Sequence, residues 1–330
     1  MQNITTISEL LETAGAQYRV FDMGRRVTKL SREQFKRIEH DEAPYPYPAQ
    51  GHAWLAILFW TPLSEAEHNL WFLKFPLDEH GLLQLVARDD FLRSTLAQIG
   101  QPEQKASQWG FTPKQDKMAY LHSRARLEMK LPPSAHLDSS LSYLRGDALN
   151  QWQSLGVQGL ADLAVHQSTY ADLIACKLTE LPEEVLSVFL PQLENEPLHP
   201  KIAASICQLM GSFDDPLIIA ACIRSLACSP NNAATKEVIL AVLASPKGVE
   251  IEVLAAISGR AWEILHDTEI CLQFLECLAR NNNAPEAFNH VLRDLLCIPE
   301  TGKHVRNAFR NLERSPELGN AIGDFLTHVY

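Results

Sequence analysis

The feature that most constrains this chain is a helical figure that returns between Pro182 and Leu312. Leu186, Phe189, Leu190 and Leu193 fall at i, i+3, i+4 and i+7, and so do Ile219, Cys222, Ile223 and Leu226. Cys271, Phe274, Leu275 and Leu278 repeat the spacing, as do Phe288, Val291, Leu292 and Leu295, and finally Val305, Ala308, Phe309 and Leu312. This period puts the four apolar side chains of each set on one helix face. Looser versions begin near 202, 238 and 253. The starting points step by about 17 residues, so a helix pair takes about 34, the length class of stacked helix-pair repeats. A solenoid of such pairs is expected over residues 149–330.

The first part of the chain has a different rhythm. Thr6 and Glu9 form a capping box before a short helix that stops at Gly15, and Ser31 and Gln34 form a second one before a helix ending near Glu39. Between them, Tyr18–Met23 alternates like a strand, Gly24 turns the chain, and Arg26–Leu30 pairs back. Pro44-Tyr-Pro-Tyr-Pro48 interrupts regular structure with an extended, rigid segment. Ala53–Trp60 is apolar on both faces and suits a central strand, with Asn69–Phe75 beside it. Leu82–Val86 is expected as a further strand after a turn at Asp78–Gly81, and Asp89 or Asp90 as the cap of the next helix. These elements predict a small α+β domain over 1–105, its sheet mostly antiparallel. A linker is expected over 100–112. A helical connector follows over 106–148, its helix opening at Thr112-Pro113. Asp215 and Ser315 are expected N-caps, each followed by proline.

Charge divides the chain as the patterns do. Residues 1–150 carry 17 Lys/Arg and 18 Asp/Glu, whereas 151–330 carry 12 and 22. An acidic helical half is a poor general nucleic-acid binder, since phosphate affinity needs basic charge, and a basic or neutral protein partner suits it better. The longest fully apolar run, Ala53–Trp60, is far shorter than the roughly 18 residues of a membrane helix, so no membrane association is expected. The N-terminus lacks a basic start followed by an apolar core, which points to the cytoplasm. All seven cysteines lie after residue 175, none as C-x-x-C, and read as reduced, buried thiols on apolar helix faces.

Phe21-Asp-Met-Gly-Arg-Arg-Val27, Pro44-Tyr-Pro-Tyr-Pro48 with Gln50-Gly51, and Trp71–Asp78 followed by Gly81-Leu-Leu83 resemble a bacterial family of uncharacterised proteins, a domain of unknown function. The resemblance implies a cytoplasmic bacterial protein and supplies no activity, cofactor or catalytic residue. By period and helix length the second half looks like HEAT-type α-solenoids, and it lacks the Trp-Leu-Gly-Tyr consensus of tetratricopeptide repeats. The helix-then-strand opening Leu10–Val20 is similar to the start of aminoacyl-tRNA deacylase domains, without a lysine-centred site to match.

No dinucleotide fingerprint, P-loop, nucleophile elbow or zincin motif occurs, and no two histidines stand at H-x-H or H-x-x-x-H spacing. No cofactor and no metal is therefore expected. Arg25 and Arg26, after the Gly24 turn, could clamp an anion, since guanidinium pairs bidentately with carboxylate or phosphate. The structural alternative is surface salt bridging. Tyr45 and Tyr47 could meet a partner, or belong to a rigid loop packed over the sheet. Asp78 and Asp89-Asp90 could act as general acids or bases, but a turn and an N-cap explain them. The expected function is a non-enzymatic interaction or adaptor protein using the acidic helical-repeat surface. The alternatives are an enzyme or anionic-ligand binder acting from the first domain, and an RNA-associated factor.

Overall fold

A computed structural model describes residues 4–61, 68–98, 107–146, 152–281 and 286–329. The chain forms two compact units, residues 1–117 and 118–330. The boundaries expected at 105/106 and 148/149, and residues 100–106 of the expected linker, lie outside the described residues.

In the first unit both capping boxes form. Thr6 opens α1 (Ile7–Thr13), and Ser31 opens α2 (Arg32–Glu39). Strands β1 (Gln17–Asp22), β2 (Thr28–Leu30), β3 (His52–Trp60) and β4 (His68–Pro76) pair antiparallel in the order β2-β1-β3-β4. The doubly apolar strand β3 is thus interior, running from His52 opposite Pro76 to Trp60 opposite His68 on one side. On the other side, Asp22 faces Leu55 and Gln17 faces Trp60. One sheet face, with Tyr18, Val20, Leu55, Ile57, Leu73 and Phe75, packs under Leu10 and Leu11 of α1, Phe35 and Ile38 of α2, and Phe91 and Leu92 of α3 (Leu85–Gln98).

Two expectations fail at α3. Leu82–Val86 is not a strand. Asp78 accepts from the N–H groups of His80 and Leu82, Gly81 takes a left-handed φ of +77°, and only Leu83 bridges back, to Leu77, before the helix begins at Leu85. Asp89 and Asp90 lie inside α3 rather than at its cap. Asp89 pairs with Arg88, and Asp90 accepts from the Trp109 indole at 3.0 Å. That indole belongs to the expected linker, whose described part is anchored: Lys74 N–H donates to Trp109 O and Phe111 N–H to Phe72 O. These bonds cover the edge of β4, which would otherwise present unpaired backbone groups.

Helices follow one another through the rest of the chain. They are α4 (Gln115–Glu128), α5 (His136–Arg145), α6 (Val157–Val165), α7 (Ala171–Lys177), α8 (Glu183–Gln192), α9 (Pro200–Met210) and α10 (Pro216–Ser225). Then come α11 (Ala233–Ala244), α12 (Ile251–Gly259), α13 (Thr268–Ala279), α14 (Ala287–Leu296), α15 (Pro299–Ala308) and α16 (Pro316–Val329). From α8 to α13 the first residues are 183, 200, 216, 233, 251 and 268. Packing skips one helix: α6 lies on α8, α8 on α10 and α10 on α12, while α7 lies on α9, α9 on α11, α11 on α13 and α13 on α15. Two layers of helices result, as stacked pairs require. Asp215 and Ser315 cap as expected, accepting from Leu217 N–H and Leu318 N–H.

The repeat register holds at its first three sets, all buried, and loosens toward the end. Leu312 is 98% exposed, because α15 stops at Ala308 and the next residues form a turn. The cysteine expectation also needs correction. Cys222, Cys271 and Cys277 are buried, and burial pushes the thiols of Cys222 and Cys271 up to about 12, but Cys176 and Cys297 are exposed.

Candidate functional site

Two of the three motif segments of the first unit, 21–27 and 44–51, meet in one buried polar knot. β1 delivers Asp22 into the interior at the start of the turn. Its Oδ1 accepts from the Tyr45 hydroxyl at 2.6 Å and from Gly24 N–H at 3.2 Å, and its Oδ2 accepts from Arg25 N–H at 3.1 Å. The Arg25 side chain reaches across, its Nε donating to Pro48 O at 2.8 Å, and the Trp54 indole donates to Ala49 O at 2.9 Å. Lys117 donates its ammonium to Met23 O and Gly24 O. Burial pushes the Asp22 carboxyl above the ordinary carboxylate range, opposed by the Tyr45 hydroxyl, the Lys117 charge and the two turn N–H groups. Gly24 sits in a tight place: a Cβ there would stand 3.0 Å from the Trp54 ring and 3.1 Å from Ala49 Cβ, so these neighbours would have to give by a few tenths of an ångström.

This geometry locates each residue singled out in the sequence. Arg25 is 2% exposed and Tyr45 0%, and Arg26 is buried too. The arginine pair therefore lies in the interior rather than on the surface. Tyr47 is half-buried, its ring edge-on to Tyr45 with centroids 6.4 Å apart. A second buried carboxylate, Glu39, accepts from Ile7 N–H at 2.6 Å and Ser8 N–H at 3.1 Å, closing the start of α1. Burial raises its pKa as well. Nothing in the local pattern marks Glu39, since it is the last residue of a helix and its partners lie more than 30 residues away.

The cations that do reach solvent are others. Arg19, Lys29 and Arg32 line an open cleft of about 400 Å³ beside β1 and β2. Arg32 stacks on the Tyr18 ring at 4.6 Å and Arg19 on the Trp60 ring at 5.3 Å.

In the helical unit, polar side chains bind one repeat to the next. Buried Glu194 accepts from Arg224 Nε at 2.6 Å and from Arg260 Nε at 3.1 Å, tying the turn after α8 to α10 and to the residue that caps the end of α12. Arg124 pairs with Glu128 at 2.9 Å and with Glu196. Lys236 pairs with Asp267 at 2.9 Å, the Ser225 hydroxyl donates to Leu190 O at 2.8 Å, and the Asn281 amide to Val249 O at 2.7 Å. These three links span 31, 35 and 32 residues, one helix pair each. Arg145, Ser168, Thr169, Tyr170, His199 and Lys201 line a second open cleft of about 470 Å³. Sequence reasoning passed over these residues, because each is unremarkable alone and they come from three separate stretches.

Among the described residues no group of three or more His, Cys, Asp or Glu could hold a metal ion, and no helix is long and apolar enough to cross a membrane. A family model described as "Protein of unknown function (DUF3549)" matches residues 2–326. No curated protein and no solved structure matches the chain.

Proposed function

Because the chain belongs to this family of unknown function, we propose its role from the architecture: a non-enzymatic, cytoplasmic adaptor that binds a protein partner through its helical unit. The observation that carries the proposal is the continuous stack from α6 to α15, locked by side-chain bonds one helix pair apart. Stacked pairs of this kind, which we call HEAT-like, present a long fixed surface rather than a pocket for chemistry. The acidic balance of residues 151–330 favours a partner surface that is neutral or basic overall. In the first unit, the knot spends Asp22, Tyr45 and the Arg25 Nε on holding two loops together; of Arg25, Arg26, Tyr45 and Tyr47, the first three are buried and Tyr47 is half-buried, so Tyr47 is the one that we assign to a recognition surface.

The test is affinity capture of tagged full-length protein from native lysate, with and without nuclease. A stoichiometric protein partner that survives nuclease is expected. Repeated capture of no specific protein, or loss of the partner with nuclease, would remove the proposal and favour a small-ligand or RNA role.

A further inference from the structure

We propose that the cleft between the last turn of α5 and the starts of α7 and α9 receives an acidic residue of the bound polypeptide, a carboxylate or a phosphorylated side chain. This rests on the adaptor reading and adds the chemistry of the contact. The cleft sits within a region whose net charge is strongly negative, yet the described residues of its walls include Arg145, Lys201 and His199 against one carboxylate, Asp172.

Arg145, the last residue of α5, is exposed, and its guanidinium offers a planar fork that matches a carboxylate or phosphoryl group. Lys201, in the first turn of α9, is exposed as well and supplies a point charge. His199 Nδ1 accepts from Lys201 N–H at 3.3 Å, so the neutral ring carries its proton on Nε2 and remains a donor there. The hydroxyls of Ser168 and Thr169 complete the lining with further donors. Among the described lining residues one is an acid: Asp172, whose Oδ1 lies 2.5 Å from Lys201 Nζ. The hydrogen bond and charge of Lys201 hold that carboxyl below the ordinary range, so it is ionised at neutral pH. Both side chains of the pair are mostly exposed, and such a pair contributes little by itself. An arriving anion therefore competes with Asp172 for Lys201 at small cost. The volume, about 470 Å³, accommodates one or two side chains and leaves the flanking backbone of a peptide outside.

The acid that competes with the ligand also provides the sharpest test. Fluorescence anisotropy on the full-length protein would use a labelled peptide whose only charged side chains are two glutamates, and the same peptide with one phosphoserine in their place. Saturable binding at low salt is expected for at least one peptide, and which one binds distinguishes carboxylate from phosphoryl recognition. Arg145→Glu should weaken it at least tenfold. Asp172→Asn, which frees Lys201, should strengthen it about three- to tenfold. Lys303→Glu, the same charge change at an exposed residue outside the cleft, should leave it within twofold. Absence of saturable binding to either peptide, or equal effects of Arg145→Glu and Lys303→Glu, would overturn the inference. The adaptor reading fails separately: a captured partner that Arg145→Glu retains at full yield overturns the cleft alone, whereas failure to capture any partner overturns the adaptor.

Discussion

Single residues in this protein are held by partners far away in sequence. Tyr45 donates to Asp22 across 23 residues in a fully buried setting. Tyr45→Phe removes that donor and leaves a carboxylate oxygen short of a partner, which should cost about 1.5–3 kcal/mol. Urea denaturation would read the loss, and a midpoint equal to wild type would show the bond to be incidental. His266 is a residue with a pH signature. Burial, then repulsion from the ring of His304 stacked 4.8 Å away, lowers its pKa from 6.5. Below about 6.5 the unfolded chain takes up a proton that the folded ring refuses, so stability should fall as pH drops through that value. His266→Gln should lose less stability between pH 7.5 and 5.5 than wild type does. An equal loss in both would mean that other groups carry the acid sensitivity. Neither residue announced its role in the sequence. Tyr45 was legible as part of a packed loop, because alternating prolines leave that segment few alternatives. Its hydrogen bond to Asp22 was not, since that bond depends on where two loops meet.

At the scale of elements, what was legible was what is local. Both capping boxes, the interior strand β3 and the buried helix faces follow from contacts within a few residues or from a period. The errors fall where a local pattern had two solutions. Leu82–Val86 is apolar enough for a strand, but the turn at Asp78–Gly81 brings only Leu83 back into pairing, and the helix starts early. Asp89 and Asp90 resemble a cap, yet Arg88 and Trp109 engage them instead. The last repeat shows the same limit. Val305 and Ala308 are buried as the spacing requires, and Leu312 is not, because the helix ends first. Leu275→Asp or Phe189→Asp should unfold the helical unit, since each places an unpaired charge in a fully buried site. Leu312→Asp should change stability by no more than about 0.5 kcal/mol. Retained cooperative melting of either core variant would show the register to be wrong. Close helix crossings add a second kind of constraint. A Cβ on Gly159 of α6 would stand 2.5 Å from the backbone oxygen of His136 and 2.5 Å from Ser140 Oγ. Gly159→Ala should therefore destabilise by about 1–3 kcal/mol, as overpacking does, against the small gain expected for alanine in an open helix. A melting temperature equal to or above wild type would mean that α5 and α6 separate freely.

The whole chain combines an α+β unit knotted by buried polar groups with a helical unit bound together repeat by repeat. The buried carboxylates Asp22 and Glu39 are committed to a turn and a helix start, while the helical unit stacks from α6 to α15. The central claim is that the helical unit is where the partner binds. Hydrogen–deuterium exchange on full-length protein, alone and with its captured partner, tests it most directly. The account predicts slowed exchange in helices of residues 118–330, including the α5, α7 and α9 ends that line the cleft. Protection confined to residues 1–117, or none beyond the free protein, would contradict it.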